Sequence, residues 1–261
     1  YVSAPAYIAA RLSGIPFFVH EANARAGMAN KLGIALGGIG LTAVAGSGVK
    51  GDVVGVPIAR RLYPGNEETQ SKRRAEAYAQ WGLEDGKKTL LVTGGSQGAL
   101  SLNRALAGAL DSITAAGFQV LHAYGPKNEP PAPHGNYAAV PYIKDMSLAY
   151  AIADVVVCRA GAMTVAEVTA AGIPAIYVPL PHGNGEQALN AQPVVKTGGA
   201  TIINDAQLTA ETLSSQVLAI LNDSEILESM AESTRRSTLG HASEDIAERV
   251  FAKARSFRKG K

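Results

Sequence analysis

The sequence predicts an α/β protein built from parallel sheets of βα units. Three observations predict it. Apolar runs of about four to six residues alternate with amphipathic stretches of about ten, the pattern of strands joined by crossover helices. Glycine-rich segments follow directly on several of the apolar runs, where a strand turns into a helix. The chain, 261 residues with 47 % hydrophobic and 18 % charged, carries enough apolar side chain for one large core or two ordinary ones. Right-handed crossovers then place helices on both faces of each sheet, and such sheets take ligands outside the carboxyl ends of their strands.

The elements follow in chain order. Residues 15–19 and 53–56 read as buried strands, the second closed by Pro57. The polar segment 66–85 reads as a solvated helix. Residues 89–93 form a strand that runs into Gly94-Gly95-Ser96-Gln97-Gly98, and helical spacing resumes over 102–110. Strands are expected at 118–123, 138–143, 155–158, 175–178 and 200–203. Helices are expected at 145–152, 164–171 and 187–196, and from 210 to the end with polar breaks. Pro57–Pro64 has the composition of a hinge between two sheets.

Composition removes several function classes. A net charge of +2, with 24 basic and 22 acidic residues, is not the clustered basic signature of a nucleic-acid binder. The single cysteine, Cys158, rules out an internal disulfide framework and a cysteine-based zinc site, points to a reducing, intracellular compartment, and reads as packed at a strand end. The uncharged stretch Leu32–Val49 approaches membrane-spanning length, yet its glycines favour a buried helix running into a short strand or loop; an apolar surface that touches lipid is the other reading. The chain opens Tyr1-Val2-Ser3-Ala4-Pro5, without initiator Met or signal segment, and reads as part of a longer chain.

The loops after strands carry the chemistry. In Gly94–Gly98, backbone amides can approach a phosphate with no Cβ in the way, and the following helix adds positive potential; a plain strand-to-helix turn is the bland alternative. In Cys158–Glu167, Thr164 and Glu167 stand at capping-box spacing, while Glu167 could instead accept the vicinal hydroxyls of a ribose. Gln187 and Asn190, three apart, could bind sugar hydroxyls or simply cap a helix start. His20 beside Glu21 could form an acid/base pair or an acceptor loop, and no second histidine follows at zinc-binding spacing. The remaining histidines read as structural or solvated. A phosphate loop, a carboxylate and amides in the second half, with two sheets and a hinge, point to a nucleotide-sugar site in a cleft.

Taken together, Tyr1-Val2-Ser3-x-Pro5, His20-Glu21-x-Asn23 with Gly27 and Asn30-Lys31, Gly94–Gly98, Asp154 through Glu167 and the Gln187–Asn190 helix start resemble the MurG-type transferases of peptidoglycan synthesis over nearly the whole chain. The resemblance implies a GT-B fold of two Rossmann-like parallel-sheet domains, the first incomplete. Residues 1–57 would be a remnant of the acceptor- and membrane-side domain, 58–240 the UDP-sugar-binding domain, and 241–261 a C-terminal helix and basic tail. It implies inverting transfer of N-acetylglucosamine from UDP-N-acetylglucosamine to lipid I, giving lipid II. It also implies peripheral contact with the cytoplasmic face of the inner membrane, no obligatory metal or cofactor, and no nucleic-acid partner.

By the same resemblance Ser96 would contact the diphosphate within the phosphate loop Gly94, Gly95, Gln97 and Gly98, and Ile143 would hold the uracil through its backbone. Ala162, Met163, Thr164, Val165, Ala166 and Glu167 would line the diphosphate and ribose, with Glu167 on the ribose hydroxyls. Gln187 would hold the sugar, and Asn23 would reach over from the first domain. Three departures from the family pattern stand out. The family's first glycine-rich loop, with its histidine base candidate, would precede Tyr1, so the expectation is weak binding and poor turnover. Ala22 replaces the usual glutamine, and Ala59 replaces an arginine, with Arg60 and Arg61 next in line. The rival readings are another GT-B glycolipid synthase and a catalytically impaired UDP-sugar-binding fragment. A dinucleotide oxidoreductase lacks its fingerprint.

Overall fold

The computed structural model describes residues 3–181, 185–237, 240 and 242–259, with the side chains of 258 and 259 excepted. Tyr1, Val2, His182, Gly183, Asn184 and Lys261 lie outside the described residues. The chain forms two compact units, Tyr1–Ile58 with Leu239–Lys261, and Ala59–Thr238. The C-terminal helix, read from the sequence as a separate tail, thus belongs with the first unit.

In the first unit, α1 (Ser3–Leu12), β1 (Phe18–Glu21), α2 (Met28–Ala35), β2 (Ile39–Thr42) and β3 (Asp52–Val53) build a parallel sheet of order β1-β2-β3, joined by the C-terminal helix α10 (Ala242–Lys259). The first strand starts three residues later than the apolar run suggests. Pro16 has no N–H for a ladder, and pairing begins at Phe18 opposite Ile39. Helix α1 was not legible as an apolar periodicity, and it buries no residue completely. Helix α2 approaches α1 and β1 closely because residue 33 is glycine. A Cβ there would lie 2.7 Å from the Tyr7 ring and 2.8 Å from Val19 Cγ2. The uncharged stretch from Leu32 resolves into the end of α2, strand β2 and a loop. Among the described residues no helix is long and apolar enough to cross a membrane.

The second unit holds α3 (Glu67–Trp81), β4 (Thr89–Thr93), α4 (Leu100–Ala115), β5 (Gln119–Ala123), β6 (Tyr137–Val140), α5 (Met146–Ile152), β7 (Val155–Cys158), α6 (Ala162–Ala171), β8 (Ala175–Tyr177), α7 (Glu186–Lys196), β9 (Ala200–Ile202), α8 (Ala210–Leu221) and α9 (Ser224–Arg236). Short 3-10 turns at Arg60–Leu62 and Asp205–Gln207 complete it. All pairings in its six-stranded sheet are parallel, in the order β6-β5-β4-β7-β8-β9. Strands β4, β5 and β7 are buried along their whole length, as central strands covered on both faces must be. Leu90, Val92 and Val157 pack into one core with Leu102 and Leu106 of α4 and Leu213 and Val217 of α8. Chain order reverses between β4 and β7, so the loops leaving these two strands part company there and open a crevice at the sheet's carboxyl edge.

Local chemistry sets the ends. Asn66 caps α3 by accepting from the Thr69 amide at 3.0 Å, and Gly82 stops it. Strand β6 ends at Val140, short of its expected end, because Pro141 follows. Asp145 caps α5, accepting from the Ser147 amide at 2.9 Å.

Candidate functional site

The crevice at the switch point is a cavity of about 210 Å3 lined by Thr93, Gly95, Ser96, Ala123, Tyr142, Ile143, Met146, Tyr150, Thr164 and Glu167. Its floor is the carboxyl end of β4, and its walls are the loop before α5 and the first turns of α6. Segments read separately in the sequence therefore meet in one hollow.

The phosphate loop is held in an open, amide-rich form. Gly98 takes φ +73, and a Cβ there would fall 2.2 Å from the Tyr124 carbonyl oxygen, so the position is closed to any side chain. Asn128 Nδ2 donates to the Gln97 and Tyr124 carbonyls at 3.2 and 2.8 Å, and the Gly95 amide donates to Thr93 Oγ1 at 3.2 Å. Ser96 and Gln97 are exposed at the tip, and Gly94 sits at its base. Helix α4 starts directly behind, and no side-chain cap satisfies its first amides.

Helix α6 starts two residues before the expected cap. Its N-cap is Gly161, without a side-chain hydrogen bond, so Thr164 is inside the first turn and Glu167 in the helix body. The capping-box alternative for Glu167 is thereby excluded. The carboxylate instead enters the cavity, where Tyr150 Oη donates to its Oε2 at 3.2 Å. Burial pushes the Glu167 pKa up, while the Tyr150 hydrogen bond and the Arg61 charge pull it back. Thr164 lines the cavity beside it. Ala162, Met163, Val165 and Ala166 do not: Met163 faces solvent and Val165 packs inward.

Ile143 is buried against the cavity, and among the described residues neither its N–H nor its C=O is paired with another backbone group. Arg61 reaches the capping carboxylate of Asp145 at 3.8 Å.

Gln187 does not line the cavity. Its Oε1 accepts from the amides of Ala160 and Leu180 at 3.2 and 3.0 Å, tying together the loops after β7 and β8. Its Nε2 has no partner among the described residues. Asn190 is structural too: it is buried, and its Nδ2 donates to the Ala160 carbonyl at 3.2 Å. The sequence reading missed Arg159. Its guanidinium donates to Asp205 Oδ1 at 2.5 Å, to Ser101 Oγ at 2.9 Å and to the Val178 carbonyl at 3.1 Å, so it staples α4 to the ends of β7 and β8. An arginine directly after a strand was the one signal present. Cys158 is fully buried, as expected, and burial raises its thiol pKa out of any reactive range.

In the first unit, of the two readings of His20 and Glu21, the acid/base pair does not form. Successive strand residues point to opposite faces, and each side chain is committed elsewhere. His20 Nε2 bonds the Gly55 carbonyl at 2.8 Å. Glu21, 2 % exposed, accepts from the amides of Asn23 and Gly27 at 2.9 and 3.1 Å and from Asn30 Nδ2 at 2.9 Å. It is the anchor of the loop that carries Asn23, whose Nδ2 also donates to Glu21 Oε1 at 3.3 Å. Among the described residues no group of three His, Cys, Asp or Glu could hold a metal ion.

Comparison with known proteins agrees with this geometry. Residues 89–250 match the glycosyltransferase family 28 C-terminal domain, and residues 1–35 its N-terminal domain. A UDP-N-acetylglucosamine--N-acetylmuramyl-(pentapeptide) pyrophosphoryl-undecaprenol N-acetylglucosamine transferase from Corynebacterium glutamicum is 58 % identical, over 98 % of this chain and 71 % of that protein. One of the same name from a Mycobacterium is 49 % identical, over 95 % and 67 %. Among solved structures, MurG of Acinetobacter baumannii superposes with a TM-score of 0.75 at 30 % identity, over 95 % of this chain and 70 % of that one. The kitacinnamycin glycosyltransferase, at 21 % identity and a TM-score of 0.58 over 81 % of this chain and 54 % of that one, shares the fold.

Proposed function

The chain belongs to glycosyltransferase family 28, and from that premise we propose that it moves N-acetylglucosamine from UDP-N-acetylglucosamine to lipid I, forming lipid II for peptidoglycan synthesis. It is a hexosyltransferase of GT-B fold whose donor is UDP-N-acetylglucosamine. The observation that carries the site is the switch-point cavity, which gathers Ser96, Ile143, Thr164 and Glu167 around one hollow.

Each group has a role that its chemistry suits. Ile143 offers an N–H and a C=O without a backbone partner among the described residues, the complement of a uracil edge. Glu167 accepts the ribose hydroxyls. Departure of UDP builds negative charge on the diphosphate. The Gly94 and Gln97 amides, the Ser96 hydroxyl and the open first turns of α4 and α6 offset it, while the Gly95 and Gly98 amides hold the loop in shape by donating to Thr93 Oγ1 and the Gly95 carbonyl. Ala162, Met163, Val165 and Ala166 contribute through backbone and helix start rather than through side chains. Gln187 Nε2 is left to donate to the sugar, and Arg61 supplies the cation that Ala59 lacks. Asn23, held by Glu21, belongs to the acceptor half.

The acceptor is embedded in lipid, so the enzyme works peripherally, at the cytoplasmic face of the membrane. Exposed apolar side chains of the first unit support this: Ile8 and Leu12 on α1, Met28 and Leu32 on α2. The stretch 32–49, whose other reading was a lipid-touching surface, is interrupted by buried Gly33, Leu41 and Ala43. Of the basic end, Lys253 and Arg255 are exposed on α10, while Lys261 and the side chains of Arg258 and Lys259 lie outside the described residues.

Calorimetric titration with UDP-N-acetylglucosamine, UDP and NAD tests the donor reading. Saturable binding of both uridine nucleotides is expected; tighter binding of NAD overturns it.

A further inference from the structure

One buried polar side chain lines the cavity beside Glu167. Tyr150, in the last turn of α5, is 7 % exposed, lines the cavity and points its hydroxyl at Glu167. Among the described residues neither group has another hydrogen-bond partner. A glutamate on a helix has three side-chain torsions to settle, and a half-buried one without a fixed donor would sample several rotamers. A single donor on Oε2 restricts that freedom and leaves Oε1, with its lone pairs, as the remaining acceptor of a residue that lines the hollow. The donor is itself constant. Burial and the neighbouring Glu167 charge drive the phenol pKa far up, so Tyr150 stays protonated at any working pH. The ring itself is buried, 7 % exposed, which restricts where its hydroxyl can sit.

We propose that Tyr150 is the positioning residue of this site: it holds Glu167 Oε2 so that Oε1 meets the ribose hydroxyls, and thereby sets the preference for ribo- over 2′-deoxyribonucleotides. The inference rests on the assignment of Glu167 to the ribose. Tyr150 touches no ligand in this scheme and acts only through the carboxylate.

The test is titration of the 261-residue chain with UDP and with 2′-deoxy-UDP, for wild type, Tyr150→Phe, Glu167→Gln and the double variant. Wild type is expected to favour UDP, and Glu167→Gln to lose that preference. Tyr150→Phe is expected to cut the preference by about tenfold, the low end of what one charge-assisted hydrogen bond is worth. The double variant is expected to match Glu167→Gln alone, because a residue that works through another adds nothing once the other is gone. The acid limb of UDP binding should also move to higher pH in Tyr150→Phe, since the carboxylate loses the hydrogen bond that favours its charged form. A general loss of stability weakens both nucleotides alike and cancels in the ratio. If Tyr150→Phe keeps the full preference while Glu167→Gln loses it, or if the double variant falls further than Glu167→Gln, the positioning role is overturned and the ribose assignment stands. If Glu167→Gln keeps the preference, the ribose assignment itself fails.

Discussion

At the scale of the residue, burial decides which polar groups are free to act. His122 is the clearest case. It sits on β5, 2 % exposed, with Nε2 on Asn103 Oδ1 at 3.0 Å and Nδ1 on Tyr137 Oη at 2.7 Å. Asn103 Nδ2 donates to the Tyr124 carbonyl at 2.9 Å, which turns its Oδ1 toward the imidazole. Nε2 therefore carries the proton, and Nδ1 accepts from the tyrosine. Desolvation lowers the His122 pKa from 6.5 to about 4. The folded state thus binds fewer protons than the unfolded chain between these values. The stability this neutral histidine confers is present above pH 6.5 and is lost as pH falls toward 4, up to about 3 kcal/mol. His122→Gln should flatten the melting temperature of the second unit across that window, where wild type falls by about 6–12 °C. An unchanged slope in the variant would mean that other groups control the acid response. Glu167 teaches the same lesson from the functional side. Its spacing from Thr164 fitted a cap equally well, and only the helix start at Ala162 separates the two roles.

At the scale of the element, the site depends on a staple that links distant turns. Arg159 follows β7, Ser101 opens α4 and Asp205 lies in the turn after β9, and Ser101 Oγ also donates to Asp205 Oδ1 at 2.7 Å. The side chains of the ion pair are only 13 % and 19 % exposed, so neither charge is well solvated. Removing one partner strands the other. Asp205→Ala should cost about 3 kcal/mol, a fall of about 6–12 °C in the melting temperature of a domain this size. Asp205→Asn, which keeps an acceptor, should cost less. A melting temperature within a degree of wild type for Asp205→Ala would show that the backbone carbonyls alone satisfy the guanidinium. Beyond an arginine directly after a strand, nothing in the sequence announces this staple, because the pairings span 46 and 58 residues. Strands and helix starts were legible because their signals are local: apolar runs, Asn66 and Asp145 at caps, proline and glycine at ends. Other features were decided by tertiary contact. Gln187 looked free to hold a sugar, but its oxygen is spent on two loop amides.

At the scale of the whole molecule, each unit carries its own parallel sheet, and each half of the reaction makes a different demand on its surface. The second unit needs a crevice that strips water from a diphosphate. The first must meet an acceptor that does not leave the bilayer, and its exposed apolar side chains supply a physical means. Leu12 and Met28 are 83 % and 87 % exposed, values at odds with their hydrophobicity. Ile8 and Leu12 repeat at four-residue spacing on α1, as do Met28 and Leu32 on α2, and α1 lies against α2 through Tyr7 and Asn30. Exposed Arg11 and Lys31 stand among them. In the same unit Arg11, Ile15, Phe17, Leu36, Lys253 and Phe257 line a hollow of about 580 Å3, at the end of β1 opposite to Glu21. Apolar stripes with basic residues beside them suit an anionic bilayer: each apolar Å2 buried contributes about 25 cal/mol, and each cation near the surface about 1 kcal/mol. Co-sedimentation with vesicles rich in anionic lipid is therefore expected, weakening as salt rises. The double variant Leu12→Glu, Met28→Glu should abolish it, because two carboxylates would have to enter the interface, while UDP titration of the variant should match wild type. Vesicle binding that survives this variant would remove α1 and α2 from the membrane face and leave the basic end of α10 to account for the contact.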